Sequence, residues 1–405
     1  MTELLPTRSA GLAAMQAFIP NMGRRYEAGR NYDNGPGQHS AVSNLSPYIR
    51  RRLLTEQEVV QAALTAHGPI VAKTFVEEVI WRSYFKGWLE RRPEVWDSYV
   101  EGLNADFISL KRDKQLRRDV GLATSGQTGI ACFDAWAQEL VETGYLHNHA
   151  RMWFASIWIF TLGLPWRVGA DFFYRYLLDG DAASNTLGWR WAAGLHTRGK
   201  PYPARAQNII TFTNGRFTPR HEELAEVTEG LDTTEPDGLP TVMPIREMRK
   251  LRISEPTALL ITDEDCNLGD VDMSDFKICG TATLSCSHLR SQLKVADAVL
   301  AFEMGALADA AKRLDMIPTR LVARDPADLA DWAENAGAKQ IFTPFVSRGP
   351  LLDWLNKAEP TLTARGISIC EDRREWDDAI WPYATAGFFK VRKKIPEILD
   401  KTVFA

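Results

Sequence analysis

The spacing of apolar residues changes part-way along the 405-residue chain, and this change constrains the fold more than any other feature. From Glu56 to about Tyr176, apolar residues recur at helical spacing and Gly and Pro are sparse, which predicts a series of helices. Beyond residue 255, short apolar runs alternate with helical patterns, which predicts a mostly parallel sheet covered by helices. We therefore predict an all-α domain over 1–216, a linker over 217–255 and a Rossmann-like α/β domain over 256–405.

The second half contains five runs that predict strands and two patterns that predict helices. No Gly-x-Gly-x-x-Gly or P-loop sequence accompanies them, so the sheet has no nucleotide-binding motif of its own. The predicted strands are Thr257–Thr262, Ile278–Leu284, Leu321–Ala323, Gln340–Thr343 and Ile367–Cys370, and the predicted helices are Ala296–Leu314 and Pro326–Ala336.

Charge is distributed unevenly between the halves. Residues 1–220 carry a net charge of +6 and the remainder carries −10. A basic first half suits a phosphate-backbone partner, although ordinary variation between domain surfaces explains it equally well. The five cysteines are scattered without a Cys-x-x-Cys pair, which predicts a reducing, cytoplasmic setting and no metal site. We predict neither a signal peptide nor a membrane span.

The stretch Leu178–Trp191 concentrates polar and aromatic residues where a loop enters a predicted helix. Asp181, Asn185 and Trp189 are spaced i, i+4, i+8, so they share one helix face. That face offers a carboxylate, an amide and an indole to one flat partner with polar edges. A flavin ring is such a partner.

This stretch resembles the flavin-binding signature of the DNA photolyase/cryptochrome family, and other segments resemble the family in the same order. They are Tyr26 with Arg30, Ser43–Tyr48, Glu78–Arg82, Gly126–Gly129 and Gly144–Met152. The resemblance implies that the helical region is an all-α FAD-binding domain of the photolyase type. The family's α/β domain normally precedes this domain. The chain is therefore either a shortened, permuted photolyase or a flavin module fused to an unrelated α/β domain.

The resemblance implies FAD as the cofactor. It places Arg151 and Asp179 as an ion pair beside the reactive part of the flavin, Asp181 at the N–H edge of the ring and Asn185 at N5. The pair could equally be a structural salt bridge. The full set of residues implied to contact FAD is Tyr26, Ser43, Leu45, Ser46, Asn148, Arg151, Asp179, Asp181 and Asn185.

The diphosphate turn allows two interpretations. A serine-rich turn that enters a helix exposes N–H groups and hydroxyls suited to phosphate oxygens. Alternatively, Ser46 is an ordinary N-cap that precedes Pro47. Val42 stands where the family usually has Thr, so one hydroxyl is missing.

The resemblance also implies a substrate, a cyclobutane pyrimidine dimer flipped out of DNA. Trp81 and Trp191 would supply two stacking planes, Glu78 would donate to a pyrimidine carbonyl, and Arg30 would hold a phosphate. For any single Trp, core packing is the competing interpretation. The implied DNA-binding set is Arg30, Glu78, Trp81, Asn148, Met152 and Trp191.

The residues implied to act in catalysis are Glu78 and Asn185, together with Trp189 and Trp166 as the first two members of an electron-supply chain. The family's outer Trp is missing, because Leu122–Thr124 occupy its position. The pairs His147-Asn148 and Arg151-Met152 are of the type found in cyclobutane-dimer enzymes.

The implied activity is light-driven dimer repair by electron transfer from excited reduced FAD, that of a deoxyribodipyrimidine photo-lyase. The alternatives are a cryptochrome-like blue-light receptor without repair activity and a flavin-free interaction protein. We expect a monomer whose partner is dimer-containing DNA. The identity of any antenna pigment and the preference for single- or double-stranded DNA stay open.

Overall fold

The computed structural model describes residues 4–227, 229–270 and 276–404. Within these ranges, the residues of Asn21–Asn44 and Arg92–Met243 form a first compact unit, and those of Thr2–Pro20, Leu45–Arg91 and Pro244–Ala405 form a second. Residues 45–91 therefore pack with the sheet, although the sequence grouped them with the helical region. The predicted boundaries at 216 and 256 concern family domains, whereas the compact units are defined by packing alone. These boundaries therefore stay a prediction.

The α-helices come from both units and are numbered in chain order. They are α1 Arg8–Phe18, α2 Arg24–Gly29, α3 Ser46–Arg50, α4 Glu56–Val71, α5 Lys73–Glu90, α6 Pro93–Arg112, α7 Lys114–Thr124, α8 Ala131–Thr143, α9 Asn148–Ser156, α10 Trp166–Tyr176, α11 Ala182–Ala192, α12 Ala206–Phe212, α13 Asp297–Arg313, α14 Pro326–Asn335, α15 Pro350–Ala364, α16 Glu375–Ile380, α17 Phe389–Arg392 and α18 Ile395–Thr402.

The second unit contains a five-stranded sheet in which every paired neighbour is parallel. The strands are β1 Thr257–Thr262, β2 Ile278–Ser285, β3 Thr319–Val322, β4 Gln340–Pro344 and β5 Ser368–Asp372, in the order β3-β2-β1-β4-β5. The predicted fold class, a helical FAD-binding region followed by a mostly parallel α/β region, is confirmed.

Burial explains which strands the sequence located best. All residues of β1 and β4 are buried, because helices cover both faces of a parallel sheet, and such strands are continuous apolar runs. Strand β3 lies at the sheet edge and is largely exposed. Its first residues, Thr319 and Arg320, are polar, so the apolar pattern located this strand two residues late.

Three consecutive arginines, Arg50 to Arg52, are buried in the second unit. Arg52 Nη2 lies 2.6 Å from Asp377 Oδ2, and Arg50 Nη1 donates to the carbonyl oxygen of Asp263 at 3.1 Å. Burial lowers the pKa of Arg51 to about 10. Burial alone would raise the pKa of the Asp263 carboxyl, but Arg50 and Arg51 lower it to about 2. These cations are balanced inside the fold, so part of the positive charge of the first half does not serve a phosphate partner.

The part of the predicted linker that lies in the first unit is held by hydrogen bonds to Glu235. Arg190 on α11 donates twice to the Glu235 carboxylate, at 2.6 and 2.7 Å, and Arg198 donates to the Glu235 carbonyl oxygen at 2.9 Å. Among the described residues, no helix is long and apolar enough to cross a membrane. All five cysteines carry free thiols.

Candidate functional site

Helix α11 begins at the predicted flavin-binding stretch. Asp181 is its N-cap: its backbone is extended and its Oδ1 accepts from the backbone N–H of Ser184 at 2.9 Å. An aspartate at this position satisfies an otherwise unpaired helix N–H and suits the positive end of the helix dipole. Asp181 is only 3% exposed, so its carboxylate is held in a buried, defined position.

The side chain of Asn185 is oriented by the neighbouring helix α10. Its Nδ2 donates to the Ala170 carbonyl oxygen at 2.8 Å. Because the amide nitrogen is used in this way, the amide oxygen points away from Ala170 and can act as an acceptor. The sequence indicated that the Asn185 amide is a hydrogen-bonding group. The structure adds that the amide oxygen, an acceptor, is the atom available to a ligand.

The predicted ion pair between Arg151 and Asp179 is present. Arg151 Nη2 lies 3.0 Å from Asp179 Oδ2, and the Asp179 side chain is 5% exposed. Arg151 Nε also donates to the Leu146 carbonyl oxygen at 2.8 Å, and the guanidinium lies over the Tyr145 ring, 5.7 Å from its centroid. Arg151 is thus anchored by three groups, of which only one is charged.

Close packing of α10 against α11 sets the position of Trp189. A Cβ added at Gly169 would lie 2.3 Å from the Trp189 ring, so only glycine permits this approach. The indole is 2% exposed and makes edge contacts with Trp158 and Phe173, at centroid distances of 6.1 and 5.1 Å. Trp189 is therefore part of the aromatic core as well as a member of the predicted face.

The other predicted electron carrier, Trp166, has a different aromatic neighbourhood. Its ring lies 5.8 Å from Tyr99, and Tyr99 lies 5.4 Å from Trp96. Trp191, predicted as a second stacking plane for the lesion, lies 5.1 Å from the Tyr202 ring at an interplanar angle of 32°.

A buried polar cluster in the first unit was missed by the sequence analysis. His39 Nε2 lies 3.0 Å from Glu139 Oε1, and its Nδ1 lies 3.9 Å from Asp33 Oδ1. Trp136 Nε1 donates to the other Asp33 oxygen at 2.8 Å. The His147 ring stacks on His39 at 5.5 Å. Burial lowers the pKa of His147 to about 4, an effect that the Asp33 carboxylate opposes.

Two polar atoms close in sequence to the predicted ring contacts support a fit to a polar ligand. His147 Nε2 and Ser184 Oγ are buried and have no hydrogen-bond partner within the parts of the chain that the structure describes. His147 precedes Asn148, and Ser184 lies between Asp181 and Asn185. A buried polar group without a partner is costly. The Asp181 carboxylate, the Asn185 amide and these two unpartnered atoms are hydrogen-bonding groups of the kind that a ligand with a polar-edged ring, such as FAD, requires.

The predicted diphosphate turn leads directly into α3. This helix begins at Ser46 itself, with Leu45 at the N-cap position and no side-chain cap, so the alternative in which Ser46 caps the helix is not what the structure has. Tyr26 lies on α2, and Arg30 directly follows that helix, with its backbone N–H donating to the Tyr26 carbonyl oxygen at 2.8 Å. Ser43, Tyr26 and Arg30 are all half-buried.

The predicted lesion contacts lie in both units. In the first unit, Asn148 is exposed at the start of α9, and Met152 is half-buried one turn later. In the second unit, Glu78 and Trp81 lie one turn apart on α5, as predicted. The Trp81 ring stacks on Phe388 with a centroid distance of 3.9 Å and an interplanar angle of 14°. The sequence did not predict this contact.

Part of the helical region matches a known protein family. Residues 75–221 match the FAD binding domain of DNA photolyase. Residues 75–221 therefore form a photolyase-type FAD-binding domain. Its cofactor is FAD, as predicted.

Curated relatives of this photolyase-type domain include two bacterial deoxyribodipyrimidine photo-lyases. One, from Thermus thermophilus, is 34% identical over 205 residues, covering 49% of this chain and 45% of the relative. The other, from Streptomyces griseus, is 34% identical over 207 residues, covering 48% of this chain and 42% of the relative. The chain therefore spans less than half the length of these relatives.

A solved structure, a bacterial class III photolyase from Agrobacterium tumefaciens, aligns with a TM-score of 0.41 at 27% identity. The alignment covers 51% of this chain and 43% of that protein.

Proposed function

We propose that the protein repairs cyclobutane pyrimidine dimers in DNA by light-driven electron transfer, as a deoxyribodipyrimidine photo-lyase does. The observation that carries the proposal is the arrangement on and beside α11: the Arg151–Asp179 ion pair at 3.0 Å, the buried Asp181 carboxylate and the oriented Asn185 amide. These residues stand in a region that matches the FAD binding domain of DNA photolyase. The two bacterial relatives are deoxyribodipyrimidine photo-lyases, which supports the same proposal.

When bound, reduced FAD would supply the light-driven electron chemistry, which needs no net redox change. The protein's own residues bind and orient. Asp181 would accept a hydrogen bond from the N–H edge of the ring, and the Asn185 amide oxygen would accept one from a ring N–H without adding charge. The Arg151 guanidinium balances the charge of the Asp179 carboxylate.

The lesion is bound by a separate set of side chains. Trp81 would offer an indole face for a flipped-out base, protonated Glu78 would donate a hydrogen bond to a pyrimidine carbonyl oxygen, and Arg30 would hold a backbone phosphate. Asn148, Met152 and Trp191 are the remaining residues that the family resemblance implies for DNA binding. Trp189 and Trp166 belong to the path that keeps the cofactor reduced.

A second candidate, a cryptochrome-like blue-light receptor without repair activity, is favoured by one observation. Phe388 covers one face of Trp81, the indole that repair would use to stack on the lesion. A receptor does not need that face.

A repair assay separates the two candidates. Reduced protein is mixed with dimer-containing single- or double-stranded DNA, and loss of the lesion is followed under blue light and in the dark. Light-dependent loss on either DNA supports repair. Turnover on neither DNA, with FAD still bound, supports the receptor.

The lesion site is tested by Trp81→Ala. This variant is expected to lose affinity for the dimer by about 1–3 kcal/mol, the value of one base-stacking contact, while it retains FAD. Simultaneous loss of FAD would show that Trp81 supports the flavin site instead.

A further inference from the structure

The Trp81 indole already has an aromatic partner that lies parallel to it. The Phe388 ring is stacked on it at 3.9 Å and 14°, a face-to-face geometry that a nucleobase would also adopt. Phe388 is 6% exposed, whereas its neighbour Phe389 is 70% exposed. Phe388 therefore packs against Trp81, whereas Phe389 is exposed to solvent.

Contacts from Tyr84 and Glu77 on α5 help to attach the segment that carries Phe388. Tyr84 Oη donates to the Ala386 carbonyl oxygen at 2.8 Å, and the Tyr84 ring meets Phe388 edge-on at 5.5 Å. Further along the segment, Arg392 Nε donates to Glu77 Oε1 at 2.8 Å, on the exposed side of the helix. An exposed ion pair contributes little to stability, so the aromatic contacts and the hydrogen bond from Tyr84 hold this segment more strongly than the Arg392–Glu77 pair does.

We propose that Phe388 sets the affinity of the lesion site by occupying the face of Trp81 that a flipped-out base would use. The inference rests on the proposed function. It adds that a side chain of this protein, Phe388, competes with the flipped-out base for Trp81. Two rings cannot share one face at 3.9 Å, so binding of a base requires the segment 384–392 to move away. A base stacked on an aromatic side chain is bound more strongly than a phenylalanine of comparable position, so the exchange favours a substrate over the internal occupant.

The opposite role makes a different prediction. If the lesion stacked on the other face of Trp81, Phe388 would support the indole from behind. Removing Phe388 would then weaken binding, whereas removing a competitor strengthens it. The direction of the change therefore decides between the two roles.

The test measures binding in the dark to a single-stranded oligonucleotide that contains one pyrimidine dimer, and to its undamaged counterpart. Phe388→Ala is expected to bind the damaged oligonucleotide about threefold to tenfold more tightly than the unchanged protein. Phe389→Ala, which removes the exposed neighbouring ring, is the matched control and is expected to leave the affinity unchanged. Equal or weaker binding by Phe388→Ala would overturn the inference.

A second variant covers the case in which Phe388→Ala does not fold. Tyr84→Phe keeps the ring and removes the hydroxyl that donates to Ala386, so it is expected to loosen the segment and to tighten binding about threefold. Hydrogen exchange gives an independent readout: addition of the damaged oligonucleotide is expected to speed exchange in residues 384–392. Slower or unchanged exchange there would contradict displacement.

These results also distinguish failure of this inference from failure of the proposed function. If the unchanged protein binds damaged and undamaged DNA equally, the proposed function fails and this inference fails with it. If the unchanged protein prefers the damaged oligonucleotide but Phe388→Ala binds it no more tightly, only the role of Phe388 is refuted.

Discussion

Replacing Asp179 by asparagine tests the flavin site through its ion pair. Asp179 and Arg151 have side-chain exposures of 5% and 23% and lie 3.0 Å apart. Removing one partner costs about 3–5 kcal/mol when an ion pair is fully buried and about 0–1 kcal/mol when it is exposed. Arg151 keeps its hydrogen bond to the Leu146 carbonyl oxygen, so the loss lies between these limits. We expect FAD binding to weaken by about 1–2 kcal/mol, or about 5- to 30-fold in Kd.

The assay is titration of flavin-free protein with FAD, followed by quenching of flavin fluorescence. The matched control is Asp134→Asn, because this carboxylate lies in the same unit and accepts hydrogen bonds from the Thr128 N–H, the Thr128 hydroxyl and the Gly129 N–H at 2.7–2.9 Å. The control is expected to lower stability without changing the Kd for FAD. The reasoning is refuted if Asp179→Asn binds FAD normally, or if both variants lose FAD affinity equally.

Three further predictions address stability and pH. Because burial lowers the pKa of His147 to about 4, the unfolded chain takes up a proton below pH 6.5 that the folded chain does not. Through this group, the free energy of unfolding measured with denaturant should be about 3 kcal/mol lower at pH 4 than at pH 7. His147→Asn should remove that part of the pH dependence. Gly169→Ala should lower the free energy of unfolding by about 1–3 kcal/mol, since its Cβ would overlap the Trp189 ring, and an unchanged melting temperature would contradict this packing. Asp377→Asn should cost about 3 kcal/mol in denaturant unfolding because it leaves the buried Arg52 with less compensating charge; a loss below about 1 kcal/mol would show that the remaining partners suffice.

The sequence predicted those features that depend on local pattern. Strand β1 was located without error because a buried parallel strand is an unbroken apolar run, and α14 began at the predicted Pro326. The start of α11 was predictable because the Asp181 side chain caps its own helix. The family resemblance supplied the cofactor, since no spacing argument distinguishes a flavin from another flat ligand.

The features that the sequence did not predict are contacts between distant residues. His39 and Glu139 are 100 positions apart, and neither lies in a motif that pairs them. The arginines from Arg50 to Arg52 look like a basic surface cluster in the sequence, and only the fold brings acidic residues such as Asp377 to them. Phe388 lies far along the chain from its partner Trp81, so tertiary packing alone brings the two rings together.

The location of the flavin ring is the central claim, and a crystal structure of the FAD-loaded protein tests it most directly. We predict that the N–H edge of the ring lies within hydrogen-bond distance of the Asp181 carboxylate. We also predict that the Asn185 amide oxygen faces N5 while its nitrogen still donates to Ala170. A flavin bound elsewhere, or one with no contact to α11, would contradict the account.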